Sequence, residues 1–191
     1  MRKIVRKIPF LLTLLRLILA PILVLSAYEN VPRWILVIFV VTAFLSDIFD
    51  GIIARKLNVS TSALRRFDSV TDVCFYLAVV WSGWILDAEK LRIFIFPIAI
   101  LVTLEILSHV VCLARFRQTA ATHAYICKFW GINLFIAALA LIGFSKTGIF
   151  AWSAIILGFA AYIDVLMILL LAKTPPVDIK SAYHAWQMGR S

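Results

Sequence analysis

Charge is what this sequence has least of: 15% of its 191 residues are charged, against roughly 25% in an ordinary soluble domain. That shortage excludes a soluble globular enzyme. Acidic side chains are the scarcest of the charged set, ten in all, so every position they hold is informative. Cysteines number three, and Cys74, Cys112 and Cys127 stand in or beside apolar runs, odd in number and without metal-ligand spacing. A disulfide framework and a zinc site are excluded on that pattern, and the three are read as small hydrophobes. No internal repeat or low-complexity segment is visible.

What is abundant is apolar surface. Of the residues 63% are apolar, about 120 side chains, which fill about six membrane helices at the ~20 residues that a hydrocarbon core ~30 Å thick requires. The expected architecture is an all-α integral membrane protein, residues 1–191 forming one membrane-embedded domain. A basic start followed by an apolar run superficially resembles a secretory signal, but Arg16 interrupts the run and further apolar segments follow. Residues 1–8 are read as a short amphipathic helix lying on the membrane surface. Six membrane helices follow at about 9–28, 33–57, 67–87, 91–115, 125–145 and 149–172.

The formal charge of +9 is explained by topology. On one side lie Arg2, Lys3, Arg6, Lys7, Arg55, Lys56, Arg65, Arg66, Arg115, Arg117, Lys128, Lys173, Lys180 and Arg190, fourteen cations; on the other lie four, Arg33, Lys90, Arg92 and Lys146. That bias puts both termini on the cytoplasmic side, and no nucleic-acid partner is required. The two longer connections, about 56–66 and 116–124, are also on the basic side, so an active site is expected to open there.

Among the acids, Glu29, Asp87, Glu89 and Asp178 fall in turns or the polar tail and read as solvated charges. Asp47, Asp50, Asp68, Asp72, Glu105 and Asp164 fall in or at the ends of membrane helices. A carboxylate at the bilayer centre costs at least ~2.5–3.5 kcal/mol, which makes each a functional candidate. Asp47 and Asp50 are spaced i, i+3 and Asp68 and Asp72 i, i+4, so each pair projects from one helix face. The intervening connection lets consecutive antiparallel helices bring the pairs together. Four converging carboxylates repel one another unless cations join them. Oxygen-only ligands favour Mg²⁺, Mn²⁺ or Ca²⁺; the bland alternative is neutralisation by Arg55, Arg65 and Arg66. Arg16 either snorkels to the interface or faces this site.

From Asp47 to Asp72 the chain reads DIFDGIIARKLNVSTSALRRFDSVTD. This resembles the signature of the CDP-alcohol phosphotransferase family: Asp, two residues, Asp-Gly, two residues, Ala-Arg, a spacer, Gly, three residues, Asp, three residues, Asp. Asp47, Asp50, Gly51, Ala54, Arg55, Asp68 and Asp72 match in identity and spacing, and Leu64 stands where the family has glycine. The opening IPFLLTLLR is also similar to the family. A leucine at the glycine position implies a narrower nucleotide pocket or a divergent branch.

The resemblance implies transfer of a phosphatidyl group from CDP-diacylglycerol to a small polar alcohol with release of CMP. It further implies a homodimer among membrane lipids and, as cofactor, two Mg²⁺ or Mn²⁺ ions. By the same resemblance Asp47, Asp50, Asp68 and Asp72 are metal ligands, Asp72 is also the base, and Gly51, Ala54 and Arg55 bind the CDP moiety. Arg115 and Lys128 are acceptor-binding candidates; for Arg115 and Arg117 the plain alternative is positive-inside anchoring. Lys128 looks like the lysine of a Gly-Lys motif in which Cys127 replaces the glycine. His123 adds to this basic cluster, and Glu105 and His109, spaced i, i+4, are read as satisfying each other. Family members that use glycerol-3-phosphate usually carry Arg-Glu at the fourth helix, and here Leu104 precedes Glu105. The acceptor is therefore left as glycerol-3-phosphate or an inositol-type alcohol. Two other classes use intramembrane acids. A prenyltransferase is expected to show two separated aspartate motifs and a longer chain, and a divalent-cation transporter needs acids along the whole crossing, where Asp164 alone would have to serve; the single compact cluster argues against both, which stand as the alternative reading.

Overall fold

Periodicity in the first apolar run decides which face of that helix its neighbours pack on. In the computed structural model, which describes residues 7–57, 59, 61–116 and 125–172, helix α1 runs Ile8–Tyr28. Pro9 sits in the first turn, where its missing N–H costs nothing. Pro9, Thr13, Arg16, Ala20, Leu23 and Ala27 recur at three- and four-residue steps and form the buried face of α1. Two of them, Thr13 and Arg16, are polar.

Five further helices follow: α2 (Arg33–Lys56), α3 (Ser62–Leu91), α4 (Ile95–Phe116), α5 (Tyr125–Phe144) and α6 (Gly148–Leu171). A 3₁₀ turn, Arg92–Phe94, joins α3 to α4. No strand occurs among the described residues. By length and composition, five helical stretches are long and apolar enough to cross a membrane, and one of these is the 54-residue stretch Ala63–Phe116. The sequence predicts six separate spans. The difference lies at Asp87, where the backbone leaves helical geometry (φ −150°, ψ 50°) without a loop long enough to separate two elements. Residues 1–6, most of the expected surface helix, lie outside the described residues, and Ile8 already belongs to α1. Arg117, His123, Asp178 and the C-terminal cations Lys173, Lys180 and Arg190 also lie outside them.

The chain divides into two compact units: Met1–Leu91 with Ala138–Lys146, and Arg92–Ala137 with Thr147–Ser191. In the first, α1 packs on both α2 and α3. The buried face of α2 carries Leu36, Val40, Ala43, Ser46, Asp50 and Ala54, again at helical steps. Arg55 and Lys56 close α2, placing cations at the carbonyl end of its dipole. α3 starts at Ser62, five residues before the position predicted from its apolar run. Thr61 supplies the reason: its hydroxyl accepts the Leu64 N–H (3.1 Å) and its carbonyl the Arg65 N–H (3.1 Å), an N-cap that extends the helix through polar sequence.

The far end of this unit is latched by polar groups. The Arg33 guanidinium pairs with Asp87 (2.8 Å) and donates to the Ile142 carbonyl (3.1 Å), while the Ser145 hydroxyl donates to Asp87 (2.6 Å). Lys90 donates to the Ser145 carbonyl at 2.9 Å. Asp87 is thus a paired, largely buried carboxylate and not the solvated turn charge its position suggests.

In the second unit α4 packs on α6. Cys112, Val165 and Leu169 form a buried cluster joined by Val111, Phe116, Cys127 and Leu166, which bears out the reading of Cys112 and Cys127 as apolar packing. The Trp130 indole N–H donates to the Ala154 carbonyl (2.8 Å), and its ring meets Tyr162 edge to face at 5.2 Å. Gly158 makes room for that indole: a Cβ there would lie 2.9 Å from Trp130 Nε1 and 3.0 Å from Leu101 Cδ2. Because the hydrogen bond pins the ring, Gly158→Ala is expected to destabilise this unit by about 1–3 kcal/mol, the usual range for overpacking. Thermal unfolding in detergent measures it. An unchanged midpoint would mean the indole moves aside at no cost.

Candidate functional site

Two helices supply the acids and a third supplies their counter-charge. Asp47 and Asp50 project from α2 and Asp68 and Asp72 from the first turns of α3. Carboxylate oxygens of Asp47, Asp50 and Asp68 all lie within 4.8 Å of one another. The two pairs do converge, but α1 contributes to the meeting: Arg16 stands among them, 2% exposed. Its Nη1 is 3.0 Å from Asp47 and also contacts Asp72; its Nη2 is 2.7 Å from Asp50 and 3.1 Å from Asp68. The choice left open by the sequence, snorkelling or facing the site, is settled for the site.

Thr13 was not anticipated. Its hydroxyl lies 3.1 Å from Asp50 Oδ2 and 3.1 Å from the Pro9 carbonyl, so its one proton serves either acceptor. The signal for both α1 residues was in the sequence. Thr13 and Arg16 occupy the same stripe as Pro9, Ala20, Leu23 and Ala27, which only a helix buried on that face requires.

One guanidinium against four carboxylates leaves this set of five residues at a formal −3 when the acids are ionised. The donor atoms are all oxygen, three from a cluster small enough to share one ion, and the buried Nε of Arg16 finds no hydrogen-bond acceptor. Charge, donor type and spacing therefore fit a hard divalent cation.

The remaining motif residues are placed around this cluster. Ala54 is buried one turn beyond Asp50. The Arg55 guanidinium folds back over Gly51, its Nη1 3.4 Å from where a Cβ on that glycine would stand, an ordinary contact. Leu64 is half-buried in the first turn of α3 in helical conformation. A left-handed backbone is not what a glycine here would serve, which leaves close approach of another group as its use.

The acceptor candidates belong to the second unit. Arg115 donates through Nη1 to the carbonyls of Leu169 (2.7 Å) and Leu170, capping the end of α6. Lys128 is exposed and engaged by a neighbouring group. His109 Nδ1 lies 3.5 Å from the Glu105 carboxylate and 3.0 Å from the Glu105 carbonyl, the local pairing that their spacing predicts. Asp164, for which the sequence offers no partner, is also engaged.

The profile of the CDP-alcohol phosphatidyltransferase family matches residues 6–177. The chain belongs to this family. It is an integral, multi-pass membrane protein of that family, and neither the family nor the relatives given below are named as transporters or prenyltransferases. Among curated proteins it is 36% identical to a Rickettsia felis protein over 72 residues, 37% of this chain and 40% of that one. It is 38% identical to one from Rickettsia bellii over 72 residues, 37% of this chain and 40% of that one. It is 35% identical to one from Aquifex aeolicus over 91 residues, 47% of this chain and 49% of that one. Each of the three is named CDP-diacylglycerol--glycerol-3-phosphate 3-phosphatidyltransferase. The matches thus span between about two fifths and half of the length of these relatives. No solved structure matches.

Leu64→Gly tests the one departure from the family motif. Removing a half-buried side chain from a capped first turn is expected to leave the protein folded and to raise affinity for a CDP-linked donor, measured as a lower KM. A large loss of folded protein on size-exclusion chromatography would show instead that Leu64 serves packing.

Proposed function

We propose that this protein is a metal-dependent phosphatidyltransferase that moves the phosphatidyl group of CDP-diacylglycerol to a small polar alcohol and releases CMP. The observation that carries this reading is the convergence of the four motif aspartates from α2 and α3 on one point. In the reaction the acceptor hydroxyl oxygen attacks the lipid-side phosphorus. The bond from that phosphorus to the bridging oxygen breaks, and CMP leaves with the oxygen. Asp72 takes the hydroxyl proton, a role open to a carboxylate that, like Asp47, is partly exposed. Asp47, Asp50, Asp68 and Asp72 hold two Mg²⁺ or Mn²⁺ ions. When bound, such ions neutralise diphosphate charge and polarise the phosphoryl oxygens.

The chain's own residues supply position. Arg55, lying along Gly51 at the end of α2, offers a permanently charged fork to the diphosphate. Gly51 and Ala54, with no large side chain, flank the cytidine. Thr13 fixes the Asp50 carboxylate through its hydroxyl. Arg115 and Lys128 receive the acceptor. Glycerol-3-phosphate is the acceptor we favour, on the names of the relatives and on the cationic character of Lys128. Leu104, in place of the arginine usual with that acceptor, keeps inositol-type alcohols in the comparison.

The topology proposed with this activity has six spans. A 54-residue stretch, about 80 Å at 1.5 Å per residue, is far too long for one crossing of a ~30 Å core, and the break at Asp87 supports two. Six crossings put both termini on one face. The Lys and Arg bias supports the cytoplasmic one for termini and site. The family match runs through both units, which supports one functional domain; that it acts as a homodimer is part of the proposal and rests on the family resemblance alone.

CMP release by purified protein, given CDP-diacylglycerol, Mg²⁺ or Mn²⁺ and a panel of glycerol-3-phosphate, inositol phosphate, inositol, serine and glycerol, tests the reading. Release is expected with one acceptor and to vanish with chelator. Asp72→Asn should bind donor yet lose on the order of 10²-fold or more in turnover. Retained turnover would remove Asp72 as base, and no release with any acceptor would contradict the reaction class.

A further inference from the structure

Arg16 is the site residue to which phosphatidyl transfer assigns no task. It is among the largest fully buried side chains described, and its contacts follow a pattern. Nη1 touches Asp47 of α2 and Asp72 of α3; Nη2 touches Asp50 of α2 and Asp68 of α3. Each terminal nitrogen therefore ties one helix of the acid pair to the other. The fit is incomplete, since the buried Nε has no hydrogen-bond acceptor and Nη1 meets its two carboxylates as ion pairs without a well-aligned hydrogen bond. A guanidinium built into a permanent buried ion pair normally satisfies its fork of donors. Here Nη2 donates to Asp50 and Asp68, Nη1 holds Asp47 and Asp72 by charge, and Nε is left unused.

We propose that Arg16 is an internal counter-ion that competes with divalent cations for the Asp47, Asp50, Asp68 and Asp72 cluster. In the metal-free protein it clamps α2 to α3, and metal binding displaces it from these carboxylates. This inference rests on the metal-dependent reading above. Three of the carboxylates that Arg16 contacts are the same three whose oxygens lie close enough together to share an ion. A guanidinium and a divalent cation in contact with one set of acids repel each other, and arginine cannot relieve that by losing its proton. Only movement of the side chain does so. Arg16 is thus a positioning residue, holding the acids in place until the metal takes them over. Its presence also keeps four like charges from driving the helices apart when metal is scarce.

Mn²⁺ binding without substrate tests this on the full chain in detergent, stripped of metal by a chelator. Free Mn²⁺ is followed by electron paramagnetic resonance, with thermal unfolding in parallel, for the natural protein, Arg16→Gln, Arg16→Lys and Asp47→Asn. Arg16→Gln is expected to bind Mn²⁺ on the order of tenfold or more tighter than the natural protein. It should also unfold at lower temperature in chelator and gain more from added Mn²⁺. Should Arg16→Gln fail to fold, Arg16→Lys decides: its compact ammonium cannot span four carboxylates, so Mn²⁺ binding should tighten by a smaller factor. A purely structural arginine would lower stability without tightening metal binding. Equal or weaker Mn²⁺ binding by the folded variant, with binding by the natural protein that Asp47→Asn abolishes, overturns the competition and leaves the metal reading intact. No Mn²⁺ binding by any of them, or binding that Asp47→Asn leaves unchanged, overturns both.

Discussion

Everything in the first unit is arranged around a charge imbalance: four carboxylates and one guanidinium meet in a protein whose solvent is lipid. Isolated charges are costly in that setting, and a buried pair that loses one partner is destabilised by about 3–5 kcal/mol. Arg16 must therefore be inside, and α1 must be rotated to put it there. The small residues on the same face, Ala20 and Ala27, let that helix pack on α2 and α3, and its polar positions fall where the acids are. The orientation of the first helix is fixed by electrostatics as much as by apolar burial.

The imbalance is also the link from fold to chemistry. A fully neutralised set would be inert, a buried salt-bridge network of doubtful benefit to stability compared with apolar packing. A set left at formal −3 retains affinity for cations, and with them for diphosphate. The same unit is latched at its other end by Arg33, Asp87, Lys90 and Ser145. That cluster is different in kind: the carboxylate has two cationic neighbours and a hydroxyl donor, and its charge is spent on structure.

The spacing of Asp47, Asp50, Asp68 and Asp72 was enough to foresee two pairs on two facing helices, because helical periodicity is local and strong. That Arg16 of α1 would stand among these acids was less visible: an arginine two turns into an apolar helix reads equally as a snorkelling anchor. Its stripe-mates decide the matter, and stripes of small residues are easily passed over in a run that is apolar all round. Thr13 was missed since a helical threonine has a ready local acceptor, here Pro9, and nothing local reveals the second. Asp87 was misjudged for a related reason. Its partners Arg33 and Ser145 are 54 and 58 positions away, and no pattern along the chain encodes such a distance. The early start of α3 came from a single capping threonine in a polar stretch that hydropathy assigns to a loop.

If the aspartate cluster is a divalent-cation site from which Arg16 yields, a bound ion and a withdrawn guanidinium are visible together. Anomalous diffraction from crystals of the full chain soaked in Mn²⁺ tests it most directly. The account predicts anomalous density at roughly 2.0–2.3 Å from carboxylate oxygens of Asp47, Asp50 and Asp68, with the Arg16 guanidinium withdrawn from them. Absence of density there at saturating Mn²⁺, with Arg16 still bridging α2 and α3, would contradict it.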